Sequence, residues 1–204
     1  LASSAASDVY KRQKVESRYG PGMEWHNRGK GVNSRYLTNV SKDTTLLDLC
    51  DSLVCLRYTV PTDRTRLFVS CAGTYASGEL YVVKEVDEDN HVRYEFTDKE
   101  GRIVLIRSIN GNEGMDDTYY IYDIFGNLRV VLPPMCSANF CSGSLTDSAS
   151  VLSDYAFLYK YDTRNRCIGK KQPGCEWVEL VYDRCDRLIF TQNGKERANN
   201  EWAF

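Results

Sequence analysis

The chain has 204 residues, of which 42% are hydrophobic, 26% charged and 12% aromatic, with 14 Tyr and only 3 Met. This composition fits a soluble globular protein rather than a disordered one, and no run of 18 apolar residues is present that could span a bilayer. The net charge of -2 provides no global electrostatic drive toward nucleic acid, which we therefore exclude as a partner. The high Tyr content favours β-structure.

The first residues carry a recognisable non-native pattern. Residues 3–13 read SSAASDVYKRQ, which is the in-frame translation of a common transposase sequencing adapter. No apolar segment precedes them, so a signal peptide is the weaker interpretation. We treat residues 1–13 as an adapter artefact of metagenomic sequencing and expect them to be disordered. Because the sequence has no initiator Met, we expect the chain to be a fragment of a longer protein.

The remaining residues divide into two regions. Residues 14–78 are rich in Gly and polar residues and predict a loop-rich N-terminal segment with two short strands, at 53–58 and 66–71. From residue 79 to 204, short runs rich in Val, Ile, Leu, Tyr and Phe alternate with turns, which is typical of β-hairpins. A Ser-rich insertion at 133–154 interrupts them after two prolines. We expect the insertion to be a solvent-exposed loop with one short helix at 147–152, and keep a variable ligand or partner contact as its functional alternative.

The turns share one pattern: Asp, two variable residues, then Gly, Asn or Asp. An Asp at the first position can accept a backbone N–H two residues on, and the fourth residue type tolerates the left-handed conformation that returns the chain. Tyr precedes the Asp in three turns, where its ring can pack over the neighbouring hairpin. We expect Arg129, in the strand after one turn, to be exposed. The predicted structural turn residues are Asp98, Gly101, Tyr122, Asp123, Gly126, Tyr161, Asp162, Asn165, Tyr182, Asp183 and Asp186.

These turns carry a family resemblance. Residues 122–129, 161–166 and 182–188 read YDIFGNLR, YDTRNR and YDRCDRL, which resemble the YD repeats of bacterial RHS-type proteins. The connecting phrases at 95–102 (EFTDKEGR), 132–134 (LPP) and 199–202 (NNEW) are similar to the non-catalytic region upstream of the RHS core. The resemblance covers most of residues 20–204.

The resemblance implies an all-β fold in which antiparallel β-hairpin repeats form an open, curved sheet, a fragment of a YD-repeat spiral shell. It implies a non-catalytic structural segment of a large secreted or cell-surface bacterial protein, whose shell encloses a C-terminal toxin in some members. The partner is then the remainder of the same polypeptide. The family's self-cleavage motif is absent, so no proteolytic activity carries over.

A carbohydrate-binding surface module is the alternative function. Flat aromatic side chains suit the apolar faces of sugar rings. Packed rings favour the structural function, whereas a row of exposed rings in a groove favours carbohydrate binding. The candidate ligand-facing aromatics are Tyr75, Tyr81, Trp177 and Trp202.

Nothing local in the sequence indicates catalysis or a cofactor. The two His, His26 and His91, are far apart, and the repeated Asp residues are explained by turns. None of the eight Cys forms a C-x-x-C pair, which argues against a metal site. We expect free thiols rather than a disulfide framework, with Cys136 and Cys141 the pair best placed for a disulfide. We therefore expect no enzyme activity, no cofactor and no bound metal.

Overall fold

A computed structural model of the chain describes residues 16–20, 23, 31–40, 51–64, 66–109, 114–140, 142–146 and 149–204. The adapter-like residues 1–13 and His26 lie outside these. The strands are β1 Ser17–Tyr19, β2 Gly31–Thr38, β3 Leu56–Thr59, β4 Phe68–Thr74, β5 Tyr81–Val86, β6 Val92–Thr97, β7 Ile103–Ile109, β8 Met115–Tyr122, β9 Leu128–Leu132, β10 Ser144–Thr146, β11 Phe157–Tyr161, β12 Cys167–Lys171, β13 Val178–Tyr182 and β14 Leu188–Gln192. The helices are α1 Pro134–Ser137, α2 Ser150–Tyr155 and α3 Gly194–Asn199, with a 3-10 turn at Asp51–Leu53.

Most strands belong to one large sheet. Its eleven strands follow the order β1-β2-β5-β6-β7-β8-β9-β11-β12-β13-β14, and every neighbouring pair is antiparallel. From β5 onward the sheet is almost entirely a run of hairpins in chain order, because short turns can join only antiparallel neighbours. The sheet is open, and the predicted all-β class of antiparallel hairpins in an open sheet is confirmed.

A second, three-stranded sheet in the order β10-β4-β3 covers part of one face of the large sheet. The Tyr58 ring of β3 lies edge-on to Tyr119 of β8 at 4.9 Å and beside Phe140 at 5.4 Å. Phe96 and Leu105, which pair across β6 and β7, are fully buried in the same core. The core therefore lies between the small sheet and the middle strands of the large one.

The insertion at 133–154 is not the solvent-exposed loop that we expected. Its strand β10 pairs with β4, so the insertion supplies an edge of the small sheet. It contains two short helices, and the second begins at Ser150 instead of residue 147. Cys136, Phe140 and Leu152 are at most 2% exposed, because α1 and α2 pack onto the core. The Ser-rich composition concealed a few apolar anchors.

The N-terminal segment contains more strand than predicted. β2 is eight residues long and pairs along its length with β5, from Asn33 opposite Val86 to Thr38 opposite Tyr81. Its side chains are mostly exposed. Its sequence therefore lacks the alternation of apolar and polar residues by which a half-buried strand is recognised, and the strand was not predicted. The two strands predicted at 53–58 and 66–71 correspond to β3 and β4, displaced toward the C-terminus by one to three residues.

The segment after β14 folds back on it. Asn193 caps α3 reciprocally: its side chain accepts the N–H of Glu196, whose carboxylate accepts the N–H of Asn193. Asn200 ends the helix in the left-handed conformation, with φ of 58°. The reversed chain then places Ala203 opposite Thr191, where each residue donates its N–H to the other's carbonyl at 3.0 Å.

Candidate functional site

The five Asp turns share one hydrogen-bond geometry. At Asp123, Oδ1 accepts the backbone N–H of Phe125 and of Asn127, both at 2.9 Å. The N–H of Gly126 donates to the Asp123 carbonyl, and Gly126 has φ of 82°. The same bonds recur around Asp87, Asp98, Asp162 and Asp183. The fourth residue of every turn is left-handed, including the non-glycine residues Asn90, Asn165 and Asp186.

The side chain of the residue after each turn hydrogen-bonds to the carboxylate of that turn's Asp. We call this contact the clasp, and sequence reasoning missed it. Arg102, Arg166 and Arg187 each donate from Nε to Oδ2 of their own turn's Asp at 2.7 Å. Asn127 and His91 make the corresponding contact at 3.2 and 2.8 Å. The signal was present in the sequence, since Arg, Asn or His follows the fourth residue in all five turns.

Four of these turns lie in a row along one edge of the large sheet, the edge formed by the ends of its strands rather than by an outer strand. The turns at Asp98, Asp123, Asp162 and Asp183 join β6–β7, β8–β9, β11–β12 and β13–β14. These are alternate connections in a run of antiparallel strands, so they meet at the same edge. We call this row the turn ladder. The Asp87 turn joins β5 to β6 and lies at the opposite edge.

Tyrosines link successive turns of the ladder. The Tyr122 hydroxyl donates to the carbonyl of Ile103 at 3.0 Å, and the Arg102 guanidinium lies 5.1 Å from the Tyr122 ring centroid. Tyr182 of the β13–β14 hairpin makes both contacts with the β11–β12 hairpin. Its hydroxyl donates to the Cys167 carbonyl at 2.9 Å, and the Arg166 guanidinium lies 5.1 Å from its ring centroid. Each such Tyr thus holds the hairpin before it through a hydrogen bond and a cation–π contact.

Tyr161 occupies the equivalent position before Asp162. It is half-buried, and burial raises the pKa of its hydroxyl to about 12. The hydroxyl therefore stays neutral at physiological pH.

Arginines join the last two turns of the ladder directly. Arg166 Nη1 donates to the carbonyl of Asp183 at 3.1 Å and to Oδ1 of Asp186 at 2.7 Å. Arg164 Nη1 reaches the same Asp186 oxygen at 2.8 Å. A left-handed fourth residue with a carboxylate or amide thus presents its side-chain oxygen to the preceding turn, which Gly101 and Gly126 cannot do.

The last two ladder carboxylates, Asp162 and Asp183, are stabilised in the ionised form. The backbone N–H of Arg187, followed by its guanidinium, lowers the pKa of Asp183 below its ordinary 3.8. At Asp162, desolvation acts to raise the pKa, but the N–H and guanidinium of Arg166 outweigh it and lower the pKa. At the opposite edge, the hydrogen bond to Asp87 raises the pKa of His91. These carboxylates are anchored to their own turns as hydrogen-bond acceptors.

Arg129 is fully buried, so the expectation that it is exposed is wrong. The strand register shifts between Ile121 and Tyr122, which leaves Arg129 without a cross-strand partner in a β-bulge and turns it into the core. Its Nε and Nη2 donate to the carbonyls of Tyr159 and Arg66, both at 3.2 Å. Nη1 lies 3.8 Å from Asp123 Oδ2 and has no hydrogen-bond partner among the described residues.

The four candidate ligand-facing aromatics do not form a row. Tyr81 begins β5 at the ladder edge, whereas Trp177 precedes β13 at the opposite edge, seven strands away. That separation is on the order of 30 Å at about 4.8 Å per strand. Tyr75 is partly buried against the core with Arg57 over its ring, and burial raises its pKa to about 12. Trp202 packs edge-on to Phe190 and is 41% exposed.

An open groove of about 660 Å³ lies beside Trp177. Lys160, Glu179 and Arg197 line it with the apolar Val181. The Trp177 ring lies against Gly169, where a Cβ would come within 3.4 Å of it, and the Lys160 ammonium lies 4.1 Å from its centroid. The ring is thus engaged by its own sheet and by a cation.

The described cysteines are all free thiols. Cys136 is buried, its Sγ lies 3.6 Å from the Val151 carbonyl oxygen, and burial raises its pKa to about 11. Cys50 and Cys141 lie outside the described residues. Within the described part of the chain, no group of three or more His, Cys, Asp or Glu side chains is arranged to hold a metal ion. The remaining free thiols are Cys55, Cys71, Cys167, Cys175 and Cys185.

Comparison with protein-family models and with curated proteins finds no match to this chain. None of the helices in the described ranges is long and apolar enough to cross a membrane.

Proposed function

We propose that this chain is a non-catalytic structural segment of a large secreted or cell-surface bacterial RHS/YD-repeat protein. Its hairpins contribute strands to a β-shell of the kind that encloses a C-terminal toxin. The observation that carries the proposal is the turn ladder, in which one hydrogen-bonded turn recurs and successive hairpins are tied together at one edge. The partner is the remainder of the same polypeptide.

The chemistry of the ladder supports a structural function. Its Asp oxygens accept hydrogen bonds from two backbone N–H groups and from the side chain of the residue that follows the turn, so they are poor candidates for acid–base catalysis. Its Tyr hydroxyls donate to backbone carbonyls of the adjacent hairpin. Such groups specify the position of the next hairpin, which is what a stacked repeat protein requires.

The proposal is tested by recovering the complete reading frame from the source DNA and determining the parent protein's structure by cryo-electron microscopy. We expect further Tyr-Asp turns that continue the ladder at the same edge, each with the same clasp. A parent protein in which this sheet is an isolated module beside an unrelated catalytic domain would contradict the proposal.

Carbohydrate binding is the second candidate, and the groove beside Trp177 is the observation in its favour. A glycan array on the purified chain tests it, with Trp177→Ala as the site variant. Tyr155→Ala, which removes an exposed ring from α2, is the matched control. Glycan binding that disappears only in Trp177→Ala would favour the module over the shell segment.

A further inference from the structure

The segment between β3 and β4, residues 60–67, crosses from the small sheet to the turn ladder. We call it the strap; residue 65 lies outside the described residues. Leu67 is 4% exposed and anchors the strap in the core, whereas the Arg66 side chain is 81% exposed. Arg64 extends from the strap to the ladder.

Arg64 binds the Asp162 turn. Its Nη1 donates to the carbonyl of Asp162, and its Nη2 donates to Oδ1 of Asn165 at 3.0 Å. The guanidinium lies 3.9 Å from the ring centroid of Phe125, in the preceding turn of the ladder. Arg64 therefore contacts two successive turns at once.

Arg166 binds the two equivalent acceptors in the next turn of the ladder. Arg166 binds the carbonyl of Asp183 and the side-chain oxygen of Asp186, the first and fourth residues of its neighbour turn. The residue equivalent to Arg166 in the Asp123 turn is Asn127. Its shorter amide reaches Asn165 Oδ1 at 3.1 Å, with no hydrogen bond to the Asp162 carbonyl.

We infer that Arg64 replaces the ladder arginine at this junction, and that the strap thereby locks the small sheet onto the large one. Position 127 carries Asn, and the guanidinium at this junction comes from Arg64 in a distant segment of the chain.

The junction is one where strand pairing is short. β9 and β11 pair only through Val131 with Phe157 and Val130 with Leu158, because the chain leaves the sheet between them for the insertion. β12 and β13 likewise pair through two residue pairs, and there Arg166 bridges the turns. β7 and β8 pair through five. An arginine bridge thus accompanies each of these two weakly paired junctions.

Arg129 holds the strap from the other side. Its buried Nη2 donates to the Arg66 carbonyl while its Nε donates to the Tyr159 carbonyl of β11. The strap, β9 and β11 are therefore linked at two points, one buried and one at the ladder edge. This role for the strap stands apart from the proposed place of the chain in a larger shell.

The test compares Arg64→Ala with Arg66→Ala in the whole chain. Arg66 is the matched control because it lies in the same strap and contributes its carbonyl, which alanine keeps. We expect Arg64→Ala to lower Tm by about 3–6 °C, since it removes two charge-assisted hydrogen bonds, and Arg66→Ala to lower it by less than about 1 °C. Amide exchange at Phe157 and Leu158 should accelerate in Arg64→Ala only.

A rescue variant makes the inference specific. Asn127→Arg in the Arg64→Ala background places a guanidinium where Arg166 sits in the next turn, and should restore at least half of the lost Tm. The rescue also decides the case in which Arg64→Ala alone fails to fold. Equal effects of Arg64→Ala and Arg66→Ala, or no recovery with Asn127→Arg, would overturn the inference.

Discussion

The earlier and later hairpins of the large sheet have the same turns but differ in what covers them. Each ladder hairpin has a β-bulge just after its turn, which leaves one residue without a cross-strand partner. In the first two hairpins this residue is nearly or fully buried; in the last two it is 38% exposed. These residues are Val104, Arg129, Ile168 and Ile189. The same hairpin, turn and bulge thus form whether or not another layer covers them. The covering layer determines how much each hairpin contributes to stability.

The largest expected effect is at Arg129. Arg129→Ala should destabilise the protein by about 3–4 kcal/mol, because it removes a buried cation beside Asp123 and removes its hydrogen bonds to two carbonyls. Chemical denaturation measures the change, with Arg93→Ala, half exposed in β6, as the control. A loss below about 1 kcal/mol would mean that Arg129 is hydrated.

The bulge residues provide the next contrast. Val104→Ala should cost about 2 kcal/mol, since it removes two methyl groups from a covered position. Ile189→Ala removes more carbon but should cost less than about 1 kcal/mol, because its position is already partly solvated. Equal losses in denaturant titrations would indicate that another layer covers the later hairpins in solution.

The stability of a turn should depend on whether its fourth residue can adopt the left-handed conformation. Gly126→Val should cost about 1–2 kcal/mol because Val disfavours the φ of 82°. Gly126→Asn should be nearly neutral, since Asn165 adopts the same conformation in the next turn. Thermal melts that rank the two variants together would show that the left-handed φ is not the constraint.

The smallest effect concerns pH. The Asp162 and Asp183 pKa values lie below 3.8 in the folded protein, so their contribution is present above that pH and decreases as the pH falls through the lowered values. Stability should therefore fall below about pH 4. Asp183→Asn should show a shallower acid decline than the wild-type chain when Tm is followed between pH 5 and 2. Parallel curves would argue against ionised Asp183 as a source of stability.

The sequence predicted what is local. An Asp followed three residues later by Gly, Asn or Asp indicates a turn, because both requirements lie within four residues. Hairpins in chain order then follow from the short connections. Arg129 shows the limit: its burial depends on a bulge and on the Arg66 carbonyl 63 residues away, and neither is visible in its neighbours.

The interlocking of the turns was equally hidden. Arg64 lies 98 residues from Asp162, in a segment expected to be loop-rich, and nothing in its neighbourhood marks it as a ladder residue. The insertion was misjudged for a related reason. Its few buried residues, Cys136, Phe140 and Leu152, are spread through polar sequence and find their core only when β10 pairs with β4.

The folded-back segment after α3 affects how the sheet meets other proteins. An uncovered outer strand offers a template on which a foreign strand can assemble, and alternating backbone groups set the register of such assembly. Thr191 has both its N–H and its carbonyl committed to Ala203, and the side chain of Gln192 is held by the Glu201 carbonyl. A strand approaching β14 would meet an occupied position at Thr191, so a foreign strand, like a further hairpin of the proposed shell, must displace Ala203 before it can pair along the whole of β14.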